Sequence, residues 1–128
     1  MKKDPRVYLV QIMERIERVQ EYTAEGKNAF INDLRTQDAV IRNFEVIGEA
    51  AKRIPEAYRK EHPTIPWREL SGFRDILIHQ YEGVSINEIW QIIETHLEPL
   101  RLAITAILPP LDELEKEIAQ DANSDGDE

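Results

Sequence analysis

The chain contains no cysteine, so disulfides, thiolate nucleophiles and cysteine metal sites are all excluded, and a reducing, cytoplasmic setting fits. Its apolar runs fall far short of the roughly 20 residues that a membrane span requires. Met1-Lys2-Lys3-Asp4-Pro5 leads into a charged, periodic segment and not into an apolar stretch with a small-residue cleavage site. Neither a membrane nor a secreted location is expected. Histidine is scarce: His62, His79 and His96 are the only three, and none sits in an HExxH arrangement, so neither a metal centre nor a cofactor is expected. No internal repeat and no convincing strand can be read.

What is present is an ordinary globular composition over 128 residues, 41% hydrophobic and 32% charged, enough for one domain with a real core. The formal charge of −9 argues against a polyanion partner, because phosphate binding is driven by neutralisation and counterion release. Four of those charges, however, belong to Asp121, Asp125, Asp127 and Glu128, leaving −5 on residues 1–120, which permits a local basic site. Residues 1–110 are assigned to the helical domain and 111–128 to an acidic C-terminal extension. Residues 111–120 of it extend to another turn or two of helix, and Asp121 to Glu128, with nothing to bury, are expected to be disordered.

Asp4-Pro5 reads as a cap followed by proline in the first turn. Leu9, Ile12, Met13, Ile16 and Val19 then recur at helical spacing to about Thr23. Residues 24–35 read as a loop with a short helical piece. From Thr36 to Ile54, the stripe Val40, Phe44, Ile47, Ala51, Ile54 marks a long central helix stopped by Pro55. Glu56 to Ile65 is polar connection. Pro66 opens a helix carrying Trp67, Leu70, Phe73 and Leu77, which Gly83 ends. Ser85-Ile-Asn-Glu88 has capping-box form before a stripe running from Ile86 to Ile104, closed by Pro109-Pro110. The expected fold is all-α, an antiparallel bundle of four to five helices.

Chemistry concentrates in Arg74-Asp-Ile-Leu-Ile-His79-Gln-Tyr81. Asp75 and His79 stand at i and i+4, so the carboxylate can hold and charge-stabilise the imidazole, and a helix C-terminus favours the imidazolium. Arg74 supplies a permanent planar cation matched to phosphate oxygens. Such a pair suits cleavage of RNA, where the 2′-hydroxyl attacks its own phosphate; DNA lacks that hydroxyl and is not expected as a substrate. Arg74 and His79, at i and i+5, lie roughly 140° apart on a regular helix. Loosening of the helix near Gly83, a swing of the arginine or a second copy across a two-fold axis would each resolve this; the last is favoured. On the central helix, Arg42, Asn43 and Glu49 are candidate cleft residues, and Gly48 permits close packing.

Blander readings stand beside these. Asp75 and His79 can be a solvated pair, Tyr81 an amphipathic core residue continuing the Phe73, Leu77 series, Arg74 a surface charge, and Arg42, Asn43 and Glu49 exposed helix polarity. His62 and His96 are read as structural. A non-catalytic module binding nucleotide or protein, and a purely structural dimer, are the competing functions.

Gln37-Asp-Ala-Val-Ile-Arg-Asn-Phe-Glu-Val-Ile-Gly-Glu-Ala-Ala-Lys52, His62-Pro63, Ile65-Pro66-Trp67 and Gly72-Phe-Arg-Asp-Ile-Leu-Ile-His-Gln-Tyr81 together closely resemble the HepT-like family of the HEPN superfamily, over most of residues 5–108. The superfamily signature is an arginine, four to six residues, then a histidine, often with a polar residue after the arginine; Arg74, Asp75 and His79 match it, and Tyr81 matches the family's motif tyrosine. The resemblance implies a HEPN-like bundle and a homodimeric, metal-independent toxin ribonuclease of a type VII-like toxin–antitoxin pair. It also implies a partner, an MntA-like minimal nucleotidyltransferase antitoxin that uses ATP to place AMP on Tyr81. Phosphates added there would occupy the anion site and repel RNA.

Overall fold

A computed structural model describes residues 4–79 and 85–126, among which there are seven helices and no strand. Asp4 caps α1 (Pro5–Tyr22) by accepting from the Arg6 amide at 2.9 Å, and Pro5 takes the first-turn position where a missing N–H costs nothing. Its stripe Leu9, Ile12, Ile16, Val19 is fully buried. Gly26, at φ +99°, makes the sharp turn into the five-residue α2 (Lys27–Ile31), a conformation most side chains resist.

Asp33 caps α3 (Leu34–Arg53) through the amides of Arg35 and Thr36, so the central helix begins two residues before Thr36. It ends at Ile54, held extended ahead of Pro55. Gln37, buried at its N-terminal end, donates to the carbonyls of Phe30 and Ile31 and so satisfies the last turn of α2. The polar connection proves to contain a short helix, α4 (Glu56–Glu61), which buries no residue completely. With no apolar stripe it has no periodicity to betray it; Pro55 before it and Arg59 and Lys60 in its last turn suffice locally.

Trp67 opens α5 (Trp67–His79), its indole N–H donating to the His62 carbonyl at 3.0 Å. Ser85 caps α6 (Ile86–Ile107) by accepting from the Asn87 amide, and Leu108 turns extended before the double proline. Pro99 sits inside α6. The extension forms α7 (Leu111–Gly126), longer than the turn or two expected, and the helix runs through the part expected to be disordered as far as Gly126. Leu114 is buried and Glu117 pairs with Arg6, which anchors the first turns; once nucleated, a helix propagates cheaply. Gly83, the expected stop of α5, lies outside the described residues.

Helix α3 is the spine, packed against both α1 and α5, while α6 contacts α1 and α2. Phe44 and Phe73 pack as tilted rings between α3 and α5 with centroids 5.5 Å apart, and Phe30 and Trp90 join α2 to α6. The result is an all-α, HEPN-like bundle. No helix among the described residues is long and apolar enough to cross a membrane.

Candidate functional site

Glycine at position 48 decides how α5 sits on α3. A Cβ built there would overlap Arg74 Cβ and stand 2.8 Å from the Leu70 carbonyl oxygen, so only glycine lets the two backbones approach this closely. The close-packing role read for Gly48 is thus met, and its neighbour is Arg74. Leu77, one turn further, is buried beneath α5.

The Arg74 guanidinium, one quarter exposed, pairs with Glu49 at 3.1 Å and with Asp75 at 3.1 Å. Asp75 also accepts from Lys52 of α3 at 2.6 Å. These two cations, Lys52 foremost and then Arg74, hold the Asp75 carboxyl below its ordinary range. Among the described residues, the hydrogen bonds of Asp75 run to Lys52 and Arg74. His79 closes α5, one turn beyond Asp75. Its side chain and the whole of Tyr81 lie outside the described residues.

Arg74 opens onto a cavity of about 380 Å³ between α1, α3 and α5. Three helix faces build it: Tyr8, Gln11 and Arg15 from α1, at i, i+3 and i+7; Arg42, Glu45, Glu49 and Arg53 from α3, at i, i+3, i+7 and i+11; Arg74 and Ile78 from α5, at i and i+4. Four arginines therefore face two glutamates in a chain whose net charge is −9. The glutamates are shared among them: Glu49 pairs with both Arg74 and Arg53, and Glu45 with Arg42. Of the residues read as cleft-lining, Arg42 and Glu49 stand on the wall. Asn43 does not; it is buried behind the wall, donating to the Ala39 carbonyl and accepting from Arg15 at 3.3 Å, and so positions that arginine.

Arg15, Arg53 and Tyr8 were not singled out by the sequence. Their signal was the polar i, i+3, i+7 row opposite each apolar stripe, which on a lone helix reads as a solvated face. His62 caps α4 and lies against the Tyr58 ring, centroids 4.6 Å apart, while His96 lines a separate, largely apolar cavity of about 570 Å³ between α3, α5 and α6. Among the described residues, no group of three or more His, Cys, Asp or Glu side chains is arranged to hold a metal ion.

Helix α5 of this HEPN-like bundle carries an arginine, four residues and a histidine, the spacing on which the resemblance to the HepT-like family rests. The family model described as "Ribonuclease HepT-like" matches residues 12–107, well over half of the chain, and the protein belongs to that family. It is 43% identical over 102 residues to a chain of Thermococcus cleftensis named "Probable ribonuclease HepT", covering 79% of this protein and 93% of that one. A Caldanaerobacter subterraneus protein, named as a candidate RNase, is 38% identical over 110 residues, with 83% and 96% covered. A longer Methanocaldococcus jannaschii protein, whose name joins a gamma-glutamylcyclotransferase to a candidate RNase, is 40% identical over 113 residues. Those residues make up 88% of this chain and about half (51%) of that relative. No solved structure matches significantly.

Proposed function

We propose that the protein is an RNA endonuclease that works without a metal, and that two copies complete one site. The observation that carries this reading is Arg74 itself. Gly48 seats it against α3, two carboxylates orient it, and it faces a cavity rich in arginine, on the helix that ends in His79. Arg74 binds the scissile phosphate and stabilises the charge that grows on its oxygens in the transition state. The substrate's 2′-oxygen forms a bond to phosphorus while the bond from phosphorus to the 5′-oxygen breaks. His79 of one copy takes the 2′-hydroxyl proton, and His79 of the other gives a proton to the departing 5′-oxygen. The products are a 2′,3′-cyclic phosphate and a 5′-hydroxyl. The paired histidines answer the angular problem on α5, because neither copy needs its arginine and histidine on one face. Asp75 is the orienting group: its hydrogen bond from the Arg74 guanidinium and its place one turn before His79 support that role toward both.

In the same reading the protein is the toxin of a type VII-like pair. An MntA-like nucleotidyltransferase silences it: the Tyr81 oxygen attacks the α-phosphorus of ATP, pyrophosphate leaves, and AMP remains on tyrosine. The added phosphate competes for the arginines that RNA needs.

The test is cleavage of labelled RNA in EDTA, beside a matched DNA strand. Cleavage of RNA alone, ending in cyclic phosphate, is expected, with Arg74→Ala and His79→Ala each losing about a hundredfold or more. Absence of cleavage by the unmodified protein would leave the non-catalytic binding module as the better account, and full activity in either folded variant would remove that residue from the catalytic role; incubation with the nucleotidyltransferase and ATP, read by mass on Tyr81, tests the silencing step separately.

A further inference from the structure

Arg74 accounts for one phosphate, yet the cavity it opens onto is larger than one phosphate requires and has other arginines in its wall. At about 380 Å³ it falls within the range of roughly 300–1,000 Å³ typical of small-ligand sites. We propose that this cavity is a second phosphate subsite, seating the nucleotide next to the linkage held by Arg74, with Arg42 and Arg15 as its phosphate ligands and Tyr8 as the surface its base lies against. The inference rests on the ribonuclease reading and extends it to substrate positioning.

Three observations carry it. First, the charge is in the wrong place for a merely soluble surface: an acidic chain gathers arginines from three helices into one concavity. Second, their present partners are replaceable. Arg42 and Glu45 are 3.3 Å apart with the arginine 72% exposed, and such exposed pairs hold weakly. Among the described residues Arg15 has only the neutral Asn43 amide as a hydrogen-bond partner, which orients its fork without neutralising it. Third, a planar guanidinium fork matches phosphate oxygens, and Tyr8, partly buried against the core, leaves the rest of its ring on the same cavity wall for a base to lie against, so the chemistry selects a single nucleic-acid strand without selecting its sequence.

The probe is a uniformly 2′-O-methylated, mixed-sequence oligoribonucleotide of about eight nucleotides, which binds like RNA and lacks the attacking hydroxyl. Its affinity is measured by fluorescence anisotropy over a range of salt for wild type, Arg42→Gln, Arg15→Gln, the double variant and Arg68→Gln, an exposed arginine outside the cavity. The double variant should bind about tenfold more weakly, with the slope of log affinity against log salt shallower by about 0.7 for each arginine removed, while Arg68→Gln matches wild type. Arg42→Gln leaves the Arg15–Asn43 anchor intact, so its result counts even if Arg15→Gln perturbs the fold. Affinities and slopes indistinguishable from those of Arg68→Gln, or no binding by wild type, would overturn the subsite. Cleavage of unmodified RNA, run in parallel, separates the two readings: cleavage without dependence on these arginines for binding removes the subsite alone. Arginine-dependent binding without cleavage removes the nuclease reading alone.

Discussion

Alanine introduced at position 48 and at position 72 should act in opposite directions, although both replace a helical glycine. In either helix the substitution gains intrinsic propensity, about 0.8–1 kcal/mol. At Gly72 a new Cβ meets nothing within 4 Å, so Gly72→Ala should stabilise the fold by about that full amount. At Gly48 the same atom overlaps Arg74 Cβ and lies 2.8 Å from the Leu70 carbonyl oxygen and 2.9 Å from Arg74 Cγ. Two of these obstacles are fixed to the α5 backbone and cannot swing aside, so the helix itself must retreat. Over-packing of this kind costs about 1–3 kcal/mol, and rigid obstacles place it at the upper end. Net of the propensity gain, Gly48→Ala should lose about 2 kcal/mol, which separates the two variants by about 3 kcal/mol. Urea denaturation with a shared slope reads that separation directly from the midpoints. RNA cleavage gives a second reading. Displacement of Arg74 by a fraction of an ångström to an ångström should cost Gly48→Ala some tenfold to a hundredfold, while Gly72→Ala keeps its rate. Midpoints that move in the same direction by similar amounts would refute the claim that Gly48 sets the α3–α5 approach.

Further perturbations test other contacts. Lys52→Met removes the main cause of the lowered Asp75 carboxyl, so its titration, followed by carboxyl ¹³C NMR, should move up toward the ordinary range; an unmoved titration would assign the whole effect to Arg74. The Glu98 carboxyl is pushed down to about 2 by its bonds from Arg101 and then Gln20, the latter tying α6 to α1 at 2.7 Å. A depressed acid stabilises the fold above its ordinary value of 4.5 and loses that contribution as pH falls toward 2. Glu98→Gln should therefore flatten the decline in stability between those limits, and an acid-denaturation curve unchanged in that window would contradict it. Ser85→Ala, which deletes the bond to the Asn87 amide, should cost about 1 kcal/mol in thermal or chemical denaturation, and no loss would mean that another group caps α6.

Helices with an apolar stripe were legible in the sequence almost to their ends, because burial writes its period into residue order: α1, α3 and α6 begin and end within two or three residues of the positions read for them. Helix α4 was not, since it presents no completely buried face, and α7 was read short because its later turns have little to bury. At the site, local spacing revealed what shares a helix and nothing of what meets across helices. Asp75 was read only against His79 four residues on, whose side chain lies outside the described residues; the bonds that reach it from Lys52, 23 residues back, and from the adjacent Arg74 were not read. Asn43, polar and mid-helix, looked like a cleft residue; its neighbour across the bundle, Arg15, is what turns it into a buried anchor. Gly48 was legible because a costly residue in a good helix demands a reason.

Helix α4 also bears on how this architecture can be extended. It sits between Ile54 and the clasp of Trp67 on the His62 carbonyl, closed at both ends, burying no residue completely and turning only parts of Tyr58 and Arg59 inward. The contact between Gly48 and Arg74 is made by the flanking helices alone, so the crossover between them is a removable cassette. A reporter peptide or a second folded module spliced into residues 56–61 would ride on the surface while the guanidinium kept its seat.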